Sequence, residues 1–213
     1  RSVLTEAVLL GVVGSTLGLA AGIGLAFGLI GLMSTVGMNL KAAEISSLLG
    51  EMTTWGVDED DVTFWYYAGH GYISDQDVAS IVGTDAKTVR IDRIKAALDE
   101  VPGTKIVVLD CRYADSLIEK SGLSAKEVLD KFNSKVAEIF LADSEHYYLL
   151  SGATLASSIT SESAHGLVTY HLAAACGYDY DQQQPTDLLG DTDGNGAVSL
   201  AEAKAYIDNA VAA

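Results

Sequence analysis

The sequence predicts an α/β fold built on a mainly parallel sheet and preceded by a hydrophobic, transmembrane-type helix. Three observations predict it. Val62–Gly69 (VTFWYYAG) and Lys105–Asp110 (KIVVLD) are short apolar runs that read as strands buried on both faces. Ile91–Glu100 lies between them with helical spacing, and β–α–β alternation implies parallel strands joined by a right-handed crossover. From Ala7 to Met38 there is no charged residue, and about 20 apolar residues already span a bilayer as a helix.

The totals bound the rest. The chain has 213 residues, and its formal net charge of -16 argues against a nucleic-acid partner, whose phosphates it would repel. The same charge favours cations. Charges are almost absent from the first forty residues, so the chain divides into an apolar segment, 1–40, and a polar domain, 41–213. Cys111 and Cys176 are the only cysteines, which excludes a disulfide-built scaffold.

Taken in order, the apolar run is rich in glycine, with small residues such as Gly18 and Gly22 spaced as in packed membrane helices. It predicts membrane association. Lys41–Trp55 has the apolar periodicity of an amphipathic helix, and Val57–Asp61 is an acidic loop. After the first strand, Gly69 and Gly71 flank His70 and predict tight turns there. Tyr72–Thr88 reads as a loop. Pro102–Gly103 is a turn into the second strand. Ser124 and Glu127 form a capping box at the start of a long helix. His146–Ala153 is a third strand, Gly166–Cys176 a helix, and a polar linker leads to a last helix.

Two constellations carry chemistry. His70 and Cys111 each end a predicted strand, and the carboxyl ends of parallel strands are where ligands bind. A thiolate becomes a nucleophile when a neighbouring base or positive field lowers its pKa, so the two form a candidate catalytic pair. Asp191–Glu202 (DTDGNGAVSLAE) has oxygen ligands at calcium-loop spacing. Asp191, Asp193 and Asn195 stand at positions one, three and five, with Gly196 at the sharp turn. Ala197 offers its carbonyl at seven, Ser199 stands at nine and Glu202 at twelve. Calcium is the predicted cofactor.

Tyr66-Tyr67-Ala68-Gly69-His70-Gly71, the run Pro102–Asp110 and the later YYLLSGAT, SESAHGLVTYHL and DTDGNGAVSLAEA segments occur in a telling order. Together they resemble caspase-like cysteine peptidases of the bacterial clostripain and metacaspase branch. The resemblance implies a caspase-like three-layer sandwich over 41–213, here apparently lacking the usual N-terminal strands. It implies an endopeptidase with His70 as general base, Cys111 as nucleophile and the Gly71 amide in the oxyanion hole. Asp110 would line the pocket that selects Arg or Lys before the scissile bond. Peptides or proteins would be the substrates, and an anchored domain on a bacterial envelope or extracellular face the setting; the oligomeric state is left open. The N-terminal segment by itself resembles the last spans of FtsX-like permeases.

One departure opens alternatives. The family places one residue between the aspartate and the cysteine, whereas Asp110 and Cys111 are adjacent. Without a gap Arg112 takes the nucleophile position, and a slip of one residue turns a strand side chain to the other face. Either a deletion keeps Cys111 in place, or the chain is an inactive caspase-like binding or scaffold module. A permease fragment is the remaining alternative.

Overall fold

The computed structural model describes residues 40–114, 118, 122–142, 146–155 and 166–211. The apolar run Ala7–Met38 lies outside them, and so does most of the Ser/Thr-rich loop before Gly166. Among the described residues no helix is long and apolar enough to cross a membrane.

Helix α1 (Ala42–Glu51) is followed by a single 3₁₀ turn, Met52–Thr54, and then by β1 (Val62–Ile73). β2 (Ala79–Val82) and β3 (Thr88–Arg90) precede α2 (Ile91–Asp99) and β4 (Thr104–Tyr113). α3 (Ala125–Leu141), β5 (Tyr147–Leu155) and α4 (Leu167–Ala175) complete the frame. A two-stranded ribbon, β6 (Tyr178–Asp179) and β7 (Gln184–Pro185), and the closing helix α5 (Leu200–Val211) follow.

The five-stranded sheet has the order β3-β2-β1-β4-β5. Its long strands β1, β4 and β5 run parallel, as the β–α–β reading requires, and β2 and β3 extend it antiparallel. Tyr72–Thr88 is therefore not all loop. Its ASIV segment is too short to show strand periodicity, and pairing with the end of β1 makes it a strand. The expected turns at Gly69 and Gly71 are likewise replaced by extended backbone inside β1. Neither glycine has a positive φ.

One side of the sheet is covered by α1, α2 and α3. Their apolar stripes (Ile45, Ile94, Phe132 and Phe140 among them) pack with Val107, Leu109 and Leu149 into the main core. On the other side Val168 of α4 and Ile207 of α5 cover Val108 and Leu150. The second cover stops short of β1. The prediction that β1 is buried on both faces is thus corrected: Val62, Phe64 and Tyr66 are 61%, 56% and 43% exposed. An aromatic, β-branched composition marks a strand without reporting whether its second face has a partner layer. The predicted capping box at α3 is present, with Glu127 N–H donating to Ser124 Oγ and Ser124 N–H to the Glu127 carboxylate.

Candidate functional site

The parallel register of β1 and β4 decides which side chains meet. His70 stands beside Arg112, and Cys111 beside Gly69. Residues paired in this way share a face, and successive residues alternate. His70, Asp110 and Arg112 therefore belong to the α4 side of the sheet, while Cys111 and Tyr113 belong to the α3 side.

Contacts agree with that assignment. Cys111 is fully buried in the same core cluster as Tyr113 and Phe132. A Cβ placed on Gly71 would lie 3.0 Å from Tyr113 Cε2, 3.1 Å from Cys111 Cβ and 3.2 Å from Phe132 Cζ. A side chain at Gly71 would thus press on the core by a few tenths of an ångström, and the glycine's register partner is Ile81 of β2. The structure does not bring His70 and Cys111 together as a dyad. The physical reason is register: Cys111 stands beside Gly69, one residue out of step with His70, and so turns to the opposite face.

Electrostatics act in the same direction. Burial, and after it the charge of neighbouring Asp110, push the Cys111 thiol far above its ordinary range. A reactive cysteine needs the opposite shift. His70 is exposed, with Nδ1 3.3 Å from the Arg112 carbonyl oxygen. If Nδ1 donates there, Nε2 is left as the acceptor, able to take a proton from solvent or from a bound group.

Asp110 is 1% exposed and is engaged by helix α4. Its Oδ2 accepts from Thr169 N–H at 2.9 Å and from Thr169 Oγ1 at 2.5 Å. Thr169 is the third residue of α4, so Asp110 supplies from β4 the cap that the N-cap residue Gly166 cannot. Gly166 packs directly on the carboxylate, where any Cβ would collide with it. Since the Thr169 hydroxyl proton goes to Asp110, the 2.8 Å contact with Tyr66 has the tyrosine donating. Sequence reasoning gave a role to Asp110 but none to Tyr66, Gly166 or Thr169. Asp110 and Thr169 lie 59 residues apart, and no local pattern joins them.

Of the predicted calcium ligands, Asp191, Asp193 and Glu202 converge, their carboxylate oxygens within 4.8 Å of one another. Asp191 accepts from the N–H groups of Gly194, Asn195 and Gly196. Gly194 and Gly196 take φ values of 71° and 83° to allow the turn. Asn195 Oδ1 accepts from Ala197 N–H at 2.8 Å. Ser199 and Glu202 cap α5 reciprocally, at 2.9 and 3.2 Å. N–H and hydroxyl donors from Ser199 and Thr192 hold the Glu202 carboxyl down at about 2. Convergent carboxylate oxygens are hard ligands of the kind that could hold a divalent cation. Ser199 spends its hydroxyl on the cap, so its part in a coordination sphere would run through water.

A five-stranded, mainly parallel sheet with helices on both sides fits a caspase-like fold. A family model described as caspase domain matches residues 21–202, and the chain belongs to that family. No curated protein and no solved structure matches it.

Proposed function

We propose that this caspase-family domain is a non-catalytic peptide- or protein-binding module whose C-terminal loop is clipped by calcium. The observation that carries the reading is register. Arg112, not a nucleophile, stands beside His70, and Cys111 is a protonated thiol on the far face of the sheet. A general base separated from its thiol by the sheet cannot activate it. The expected selectivity for Arg or Lys also loses support, because Asp110 is buried and holds α4.

The competing reading is the endopeptidase with a His70–Cys111 dyad, and one assay separates them. Fluorogenic peptidyl-Arg and peptidyl-Lys amides are offered to the wild type, His70→Ala and Cys111→Ala over a range of calcium concentrations. The expected result is no hydrolysis above the rate in buffer for any of the three. Turnover by the wild type that both substitutions abolish would restore the peptidase.

For the loop, calcium supplies positive charge to three clustered carboxylates, and Asp191, Asp193, Asn195 and Glu202 would hold it. A ligand that binds only the folded state stabilises it by mass action. Millimolar calcium is expected to raise Tm in the wild type and not in Asp191→Asn. Equal Tm values for the wild type with calcium and with a chelator would remove the clip from the proposal.

A further inference from the structure

The sheet carries an apolar surface that the described helices leave open. Val62, Phe64 and Tyr66 alternate along β1 and are 61%, 56% and 43% exposed. Register extends this surface across two more strands. Phe64 stands beside Ile106, and Ile106 beside Tyr148, which is 49% exposed. Two contacts fix the side of the sheet. Ile106 packs with the cluster of Val168 and Ile207, and the Tyr66 hydroxyl meets Thr169 of α4. The open surface thus lies on the α4 and α5 side, beyond the point where those helices stop. At roughly 200 Å² per aromatic side chain, the half-exposed Phe64, Tyr66 and Tyr148 leave about 300 Å² open. With Val62 and Ile106 added, the patch reaches the size at which apolar surface commonly marks an interaction site.

Shape and charge select the occupant. From Phe64 to Tyr148 is two strand spacings, about 10 Å, which is the width of one helix. The same face is already layered with helices, so one more would continue the layer. Asp58, Glu59, Asp60 and Asp61 lead directly into Val62, and all four are exposed. None of them makes an ion pair among the described residues. A partner that covers the patch therefore meets four carboxylates, in a chain of net charge -16. Basic side chains answer that charge, whereas a second copy of this chain or an anionic bilayer would be repelled.

We propose that this face docks a basic amphipathic helix of a partner protein. The helix lays its apolar stripe on Phe64, Ile106 and Tyr148 and turns its lysines or arginines to the Asp58–Asp61 loop. Apolar contact supplies the affinity, and the charges set orientation and exclude acidic partners. Phe64 lies six residues before His70 on β1, about 20 Å away along the strand. The inference therefore stands whether or not His70 and Cys111 react.

The test is fluorescence anisotropy of a labelled Leu/Lys amphipathic helix of about 18 residues, titrated with the full chain. A Leu/Glu version and a scrambled Leu/Lys peptide of the same composition serve as controls. Saturable binding of the Leu/Lys helix alone is expected, weakening as salt is raised. Phe64→Ala and Tyr148→Ala should each weaken it about tenfold with Tm unchanged, since both side chains are half exposed. Glu59→Gln with Asp60→Asn should weaken it several-fold, and it spares the Asp58 and Asp61 carboxylates that hold the turn. Asp130→Asn with Glu138→Gln removes as much charge from α3, across the sheet, and should change binding less than twofold. The proposal is overturned if the Leu/Lys helix does not bind, or if either control peptide binds as tightly. It is overturned equally if Phe64→Ala and Tyr148→Ala bind like the wild type, or if the α3 variant loses as much as the loop variant. A dimer in sedimentation that Phe64→Ala dissociates would overturn it too, assigning the face to a second copy.

Discussion

Asp110→Ala is expected to destabilise the folded domain by about 3 kcal/mol, a fall in Tm of roughly 6–12 °C for a domain of this size. The substitution removes the carboxylate oxygen that accepts from both the N–H and the hydroxyl of Thr169, at a position that is 1% exposed. Hydrogen bonds to an ionised group contribute about 1.5–3 kcal/mol, and loss of a helix cap costs about 1 kcal/mol. These two figures overlap, because one of the bonds is the cap. Asp110→Asn retains an oxygen for Thr169 and should lose less than half as much. Thermal unfolding of the three proteins checks this. A specificity residue facing an open pocket would behave differently, leaving Tm unchanged while altering what binds. The account fails on this point if Asp110→Ala melts with the wild type.

The fold was legible where local chemistry and long-range pairing coincide. The α3 capping box needs only Ser124 and Glu127, three residues apart, and it formed as read. The parallel arrangement of β1, β4 and β5 followed from alternation of strand and helix, because parallel strands require such a crossover. The β2 segment is four residues long, and pairing with the end of β1 and with β3 makes it a strand. The exposed face of β1 was misread for a related reason. Whether Phe64 is covered depends on where α4 and α5 stop, which Phe64 and its neighbours do not encode.

The site was half legible. His70 lies on its strand near the carboxyl end, which runs on to Ile73, and the adjacency of Asp110 and Cys111 already raised the alternative that Arg112 takes the nucleophile position. Choosing between the two needed the register, because both keep the same composition and differ by one residue of slip. The cap supplied by Asp110 was beyond reach for another reason. It joins β4 to α4 across the fold, and a carboxylate on a strand end gives no local sign of the helix it will meet.

The second large effect concerns Cys111, which ought to be chemically silent in the folded protein. It is fully buried beside Tyr113 and Phe132, whereas Cys176 is exposed. Alkylation of Cys111 requires an opening of the core between β4 and α3. Such openings cost several kcal/mol, so its rate should fall at least about 10³-fold below that in denaturant. Its raised pKa lowers the thiolate fraction further. Histidine cannot compensate, since His70 lies with Arg112 on the other face.

The rate of iodoacetamide alkylation at each cysteine, resolved by mass spectrometry in native buffer and in denaturant, tests this most directly. The account predicts that Cys176 reacts readily in both, while Cys111 reacts only when the chain is unfolded, and that His70→Ala changes neither rate. Rapid native alkylation of Cys111 that slows in His70→Ala would contradict it, because only a paired, activated thiolate behaves so.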